Sequence, residues 1–157
     1  MGRCKVCWAS AAVLGLLSAA LVSKFMVTGA VEPSADGRSA IVVTSAQREQ
    51  VLGEMRGLLE AVQKIVVANN AGDLSAVAAA GRVVGRTNMQ PQSAEFSAKL
   101  PLEFRKLGLD THIRFDQLAA DADHFESPEQ VSQQLGELLG NCVACHSVYR
   151  LTVRDVE

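Results

Sequence analysis

Towards the end of the chain, apolar residues recur in steps of three and four: Val131, Leu135, Leu138, Leu139, Cys142, Cys145, His146 and Tyr149. Such a stripe is one face of a helix. Ser127-Pro128-Glu129-Gln130 marks its start, with Ser as cap, Pro at the first helical position and Gln closing a capping box. The chemistry of the stripe changes at Cys142-Val143-Ala144-Cys145-His146. In a helix, Cys142, Cys145 and His146 stand at i, i+3 and i+4, so two thiols and an imidazole share one face. Two cysteines three apart, followed at once by histidine, form the attachment site of a c-type haem. Each thiol adds across a vinyl group to make a thioether, and the imidazole coordinates the iron from the proximal side. Metal-binding or redox cysteines are the competing reading.

The chain preceding this helix is also helical in period. After Thr44-Ser45 the apolar positions are Val51, Leu52, Met55, Leu58, Leu59, Val62, Ile65 and Val66, and Thr44 with Gln47 reads as a capping box. Asn69-Asn70-Ala71-Gly72 stops this first helix, and Asp73 caps an alanine-rich second one from Leu74 to about Arg86. A short helix over Phe96–Leu107, interrupted or started by Pro101, ends at Gly108. A third main helix starts near Asp110-Thr111 and turns Phe115, Leu118, Ala119 and Ala122 inward. Few aromatic residues (five Phe, one Trp, one Tyr) and much Ala, Val and Leu suit helices better than sheet. The expected fold is all-α: an antiparallel four-helix bundle with a short extra helix before the third main helix. In up-down-up-down order the start of helix one and the end of helix four share one end, which puts the haem there, between those helices.

The first 30 residues differ in kind. Arg3 and Lys5 precede an uncharged stretch, Val6 to Ser23, and Thr28-Gly29-Ala30 offers small residues for cleavage. This is a signal peptide or an uncleaved membrane-anchor helix, with 6–23 long enough to span a bilayer. In both cases the basic N-terminus stays inside and the remainder is exported to the periplasm, soluble or anchored to the inner membrane. Residues 31–44 read as a turn-rich linker and 45–157 as the haem-binding bundle. Cys4-Lys5-Val6-Cys7 lies in the targeting segment, with no folded domain to hold a metal or redox centre.

Of 15 Lys and Arg residues, Arg3, Lys5 and Lys24 lie in this segment; the remaining 12 face all 17 Asp and Glu, a formal charge of −5. Nucleic acid is therefore excluded as a partner, whereas redox proteins with a basic docking face fit. No nucleophile–base pair, carboxylate dyad or phosphate-binding glycine loop points to an enzyme.

The run Leu139-Gly140-Asn141-Cys142-Val143-Ala144-Cys145-His146-Ser147-Val148-Tyr149-Arg150, with the Arg48–Leu59 segment and the alanine-rich second helix, resembles the cytochrome c′ family of class II c-type cytochromes over roughly residues 45–154. These are four-helix bundles with CxxCH near the C-terminus, and they often dimerise through helices one and two. Ala78–Gly85 permits such a homodimer. Some members leave the iron five-coordinate; others ligate it with a Met from helix one and become low-spin electron carriers. Met55-Arg56 resembles the Met-Lys of the latter. Such members usually carry an Arg four residues before the Met, where Val51 stands here; Arg48 lies one turn further out on the same face, placed to meet a propionate. The family's Ile-Trp of helix three is replaced within Asp110–Phe115.

These readings predict a mono-haem c-type cytochrome that transfers one electron outside the cytoplasmic membrane. Cys142 and Cys145 carry the haem, and His146 is the proximal ligand. Met55 is the candidate distal ligand, with His112, Met89 and no protein ligand as alternatives. Tyr149 and Arg150 pack or hydrogen-bond around the haem, or simply end the helix. His124 is expected at the surface. A five-coordinate haem protein binding NO or CO, and a haem-free CxxC thiol protein, are the competing functions.

Overall fold

The computed structural model describes residues 2–124 and 127–154. Among them the chain runs α1 (Gly2–Val22), a π-helical turn (Ser23–Thr28), β1 (Val31–Pro33), β2 (Ser39–Val43), α2 (Ser45–Asn70), α3 (Leu74–Val83), a 3-10 turn (Arg86–Asn88), α4 (Ala94–Lys99), α5 (Leu102–Ala122), α6 (Pro128–Val148) and β3 (Tyr149–Val153). The predicted start and stop signals operate as local chemistry dictates. Thr44 and Gln47 close the capping box of α2, with Gln47 N–H donating to Thr44 Oγ1 at 3.2 Å and Thr44 N–H to Gln47 Oε1 at 3.0 Å. The Asp73 carboxylate caps α3 by accepting from Ala76 N–H at 2.9 Å, and Ser127-Pro128 opens α6 with its own capping box.

α2, α3, α5 and α6 pack around one core, built on Ile65, Val77, Phe115, Leu118, Val131 and Leu138. Gly81 lets α3 approach α5: a Cβ there would stand 3.0 Å from the Phe115 carbonyl oxygen.

The expectation of an all-α four-helix bundle is overturned. The described residues form six α-helices and a three-stranded sheet in the order β1-β2-β3. β2 pairs antiparallel with β1, Val31 opposite Ile41, and parallel with β3, Ile41 opposite Leu151. Residues 31–44, read as a linker, hold the first two strands. α6 stops at Val148, and Tyr149 (φ −117°, ψ 151°) already has extended backbone. The physical reason is a second core. Ile41, Val43, Val51, Phe96 and Leu100 are buried together, with Val31, Met55, Phe104, Tyr149 and Leu151 packed against them. Burying that apolar surface outweighs one further turn of α6, and the sheet satisfies the backbone groups the helix end gives up.

Two further boundaries differ from expectation. α5 starts right after Pro101 and runs unbroken through Gly108 to Ala122, so the third main helix begins at Leu102 rather than near Asp110. α3 ends at Val83, short of Arg86. Cys7 is exposed on α1, His124 is exposed, and the side chain of Cys4 lies outside the described residues.

Ile41 is fully buried between the sheet and α4. Ile41→Ala should lower unfolding free energy by about 2–4 kcal/mol, measured by chemical denaturation; a residue in a solvated linker would cost within about 0.5 kcal/mol.

Candidate haem-binding site

α6 carries the attachment residues from the core to its edge. Val131, Leu135 and Leu138 are buried, Leu139 partly so, Cys142 and Cys145 half-buried, and His146 exposed. The stripe of the sequence is therefore continuous, but its last turn lines a cleft rather than the core.

That cleft has two joined parts that share Met55, Phe104, Cys145 and His146. The larger, about 370 Å³, lies between α2, α5 and α6 and is walled by Leu58, Val62, Leu107, Phe115 and Leu139, with Cys142 at its side. The smaller, about 190 Å³, opens towards the sheet and is edged by Arg38, Arg48 and Arg150. One end is thus aliphatic and aromatic, the other cationic. Gly108 lies on the α5 wall, and a Cβ built there would meet nothing within 4 Å. A glycine inside a helix costs roughly 0.5–1 kcal/mol relative to alanine; here it gives a flat group access to the helix backbone. A haem has this polarity, an apolar macrocycle with two carboxylates along one edge, so the residues present fit it.

Polar contacts fix the walls. Asn141, next to Cys142, donates to Asp110 Oδ2 at 2.8 Å, and Arg114 Nε donates to the same oxygen at 2.7 Å. These bonds, that from Asn141 first, hold the Asp110 carboxyl below its ordinary range. Thr111 Oγ1 donates to the Leu107 carbonyl at 2.7 Å. α5 and α6 are thereby joined one residue before the first cysteine.

On the cationic side, the β1–β2 turn reaches over the end of α6. Arg38 Nη1 donates to the His146 carbonyl at 3.2 Å, while its Nη2 lies 2.7 Å from Asp36 Oδ2. Arg150 Nη1 donates to Ser34 Oγ at 3.1 Å and lies 3.4 Å from the same Asp36 oxygen. Bonds from the Arg38 side chain and backbone, and from Ser34, hold the Asp36 carboxyl far below the usual carboxylate range. Arg38, not Arg150, therefore serves the carbonyl end of α6. Arg150 belongs to a strand, and Tyr149 meets Phe104 edge-on with ring centroids 5.6 Å apart.

Met55 lines both parts of the cleft from α2, and Arg48 lines the cationic part while pairing with Glu49 at 2.9 Å. Met89 and His112 line neither. His112 is buried, with Nδ1 2.7 Å from the Val84 carbonyl and Nε2 3.2 Å from Glu54 Oε1, so both ring nitrogens are engaged between α2, α3 and α5. Its partners are Glu54 and Val84, away from the cleft.

Burial pushes both thiols up, and at Cys145 the neighbouring Cys142 adds to the rise. A thiol–disulfide site requires the opposite shift, towards thiolate.

Sequence reasoning missed Arg38, Phe104 and Gly108 as cleft residues. Arg38 lies in a segment without helical period, Gly108 carries the signal of a helix stop, and Phe104 falls in the short helix expected before it. Comparison of the chain with protein-family models, with curated proteins and with solved structures gives no match. The Cys142-x-x-Cys145-His146 pattern is that of covalent haem-c attachment with histidine ligation, one haem per chain, as in mono-haem c-type cytochromes in general.

Burial opposes protonation of His112, but its bonds to Glu54 and Val84 and the charges of Glu54 and Asp116 outweigh burial, so the folded state holds its proton more tightly. Its contribution to stability is then complete below the ordinary histidine range, near 6.5, and fades as pH rises through the folded value. His112→Gln should cost more stability at pH 5.5 than at pH 9, measured by urea denaturation; an equal cost at both would contradict this.

Proposed function

We propose that the protein is a one-electron carrier working outside the cytoplasmic membrane, in which His146 and Met55 would hold the haem iron. The observation that supports this most is the shared cleft: Met55 enters it from α2, His146 from α6, and both line its two parts. When bound, the haem supplies the Fe(III)/Fe(II) couple. The chain's residues then do the rest. Cys142 and Cys145 hold the group to α6, and the Leu58, Val62, Phe115 and Leu139 wall keeps water from it, which tunes a potential through dielectric. Arg38, Arg48 and Arg150 would hold the carboxylates, and the thioether of Met55 favours a low-spin iron and a raised potential.

The relation to class II cytochromes rests on the Cys142–Arg150 ending and on Met55-Arg56 in α2; the sheet is an addition to that pattern. The excess of acidic residues beyond residue 30 favours redox partners with basic docking faces. Electron transfer rather than catalysis is the reading in keeping with a cleft lined by aliphatic groups. Export is supported by α1, which is long and apolar enough for a signal or an anchor.

A five-coordinate gas-binding protein would use the same cleft with Met55 only as lining. The ferrous spectrum of the purified protein separates the two. The wild type should be low-spin and insensitive to CO. Met55→Ala should become high-spin and bind CO at least about tenfold more tightly, about 1.4 kcal/mol. Ready CO binding by the wild type, unchanged in Met55→Ala, would establish the gas-binding reading instead.

A further inference from the structure

We propose that α1 stays in the mature protein as a membrane anchor whose C-terminal end is a structural part of the folded domain. A leader that is cut away contributes nothing to the mature fold, so its residues have no reason to fit it. Here Met26–Ala30, which includes the small-residue run where cleavage would fall, fits the domain at several independent points.

Arg105 Nη2 on α5 donates to the Met26 carbonyl at 2.6 Å. Ala30 is partly buried, with its N–H donating to the Lys99 carbonyl at 2.8 Å and its carbonyl accepting from Val42 N–H at 2.8 Å, so it extends the β1–β2 pairing by one residue. Between them Gly29 stands at φ +70°, against the α4–α5 junction. A Cβ at Gly29 would lie 2.5 Å from the Lys99 carbonyl oxygen and 2.8 Å from Pro101 N. Both the backbone conformation and the close approach demand glycine. The π-helical turn Ser23–Thr28 packs on α4 and α5, so no flexible tether separates α1 from the domain.

The occupant of α1's surface is a lipid bilayer. The helix is apolar on every side rather than on one face, with Trp8 and Leu16 about three-quarters exposed and none of its apolar window buried. The uncharged stretch Val6–Ser23, ahead of the part that packs on the domain, is about 27 Å long as a helix, against a hydrocarbon core of about 30 Å. Lys5 lies at one end of the span and Lys24 near the other, where an ammonium reaches headgroups, and Trp8 suits the interfacial belt.

The test reads the polypeptide and does not depend on haem loading. The full-length chain is produced in a bacterium with haem-maturation machinery and fractionated, and its intact mass is measured. The expected result is a mature chain that keeps the residues before Val31, stays with membranes through a sodium carbonate wash and is released by detergent. In detergent, Gly29→Ala should lower Tm by about 4 °C or more. A mature chain beginning at or near Val31, release by carbonate, or an unchanged Tm in Gly29→Ala would each overturn the proposal.

Discussion

The parallel pairing of β2 with β3 is the constraint on which the rest of the structure depends. Two parallel strands need a long crossover, and here the crossover is the whole helical body, from Ser45 to Val148. The pairing brings the two ends of that body together. It holds the last turn of α6, with Cys145 and His146, beside the turn that carries Asp36 and Arg38. A free helix end would leave the last carbonyls of α6 to water. Instead Arg38 donates to that of His146, and the strand takes up the backbone from Tyr149 onward.

The cleft follows from this closure. Between α2, α5 and α6 the main core ends at Leu58, Phe115 and Leu139, and the sheet's own core begins at Val51, Phe104 and Tyr149. Between the two cores lies a wall of side chains that is apolar towards the bundle and cationic towards the sheet. Asn141, Asp110 and Arg114 keep α6 in register with α5 at the first cysteine. The CxxCH turn is thus braced on both sides, by a polar network before Cys142 and by a strand after Val148.

Much of this was legible in the sequence, because its signals were local. The capping boxes at Thr44 and Ser127, the Asp73 cap and the helical stripes of α2 and α6 depend on residues within a few positions of one another. The attachment motif carries its chemistry in its spacing. The sheet was not legible for two reasons. β1 and Ala40-Ile41-Val42-Val43 are short strands, and the parallel partner of the latter, Tyr149–Val153, lies at the far end of the helical body, so no window contains that pairing. Tyr149, Leu151 and Val153 do alternate with Arg150 and Thr152, a strand signal, but they adjoin a strong helix whose period runs on through Tyr149. Gly108 misled because glycine ends helices more often than it faces a cleft. Arg38 was invisible until the hairpin placed it over His146.

The central claim is that Cys142, Cys145 and His146 present one haem to the cleft between α2, α5 and α6. The most direct measurement is the absorbance and mass of the full-length chain after denaturation, for the wild type and for Cys142→Ala/Cys145→Ala. The account predicts one haem per chain that stays with the denatured wild type, with a pyridine haemochrome spectrum of two thioether links, and none that stays with the double variant. A wild-type chain without covalent haem, or a double variant that retains it, would contradict the account.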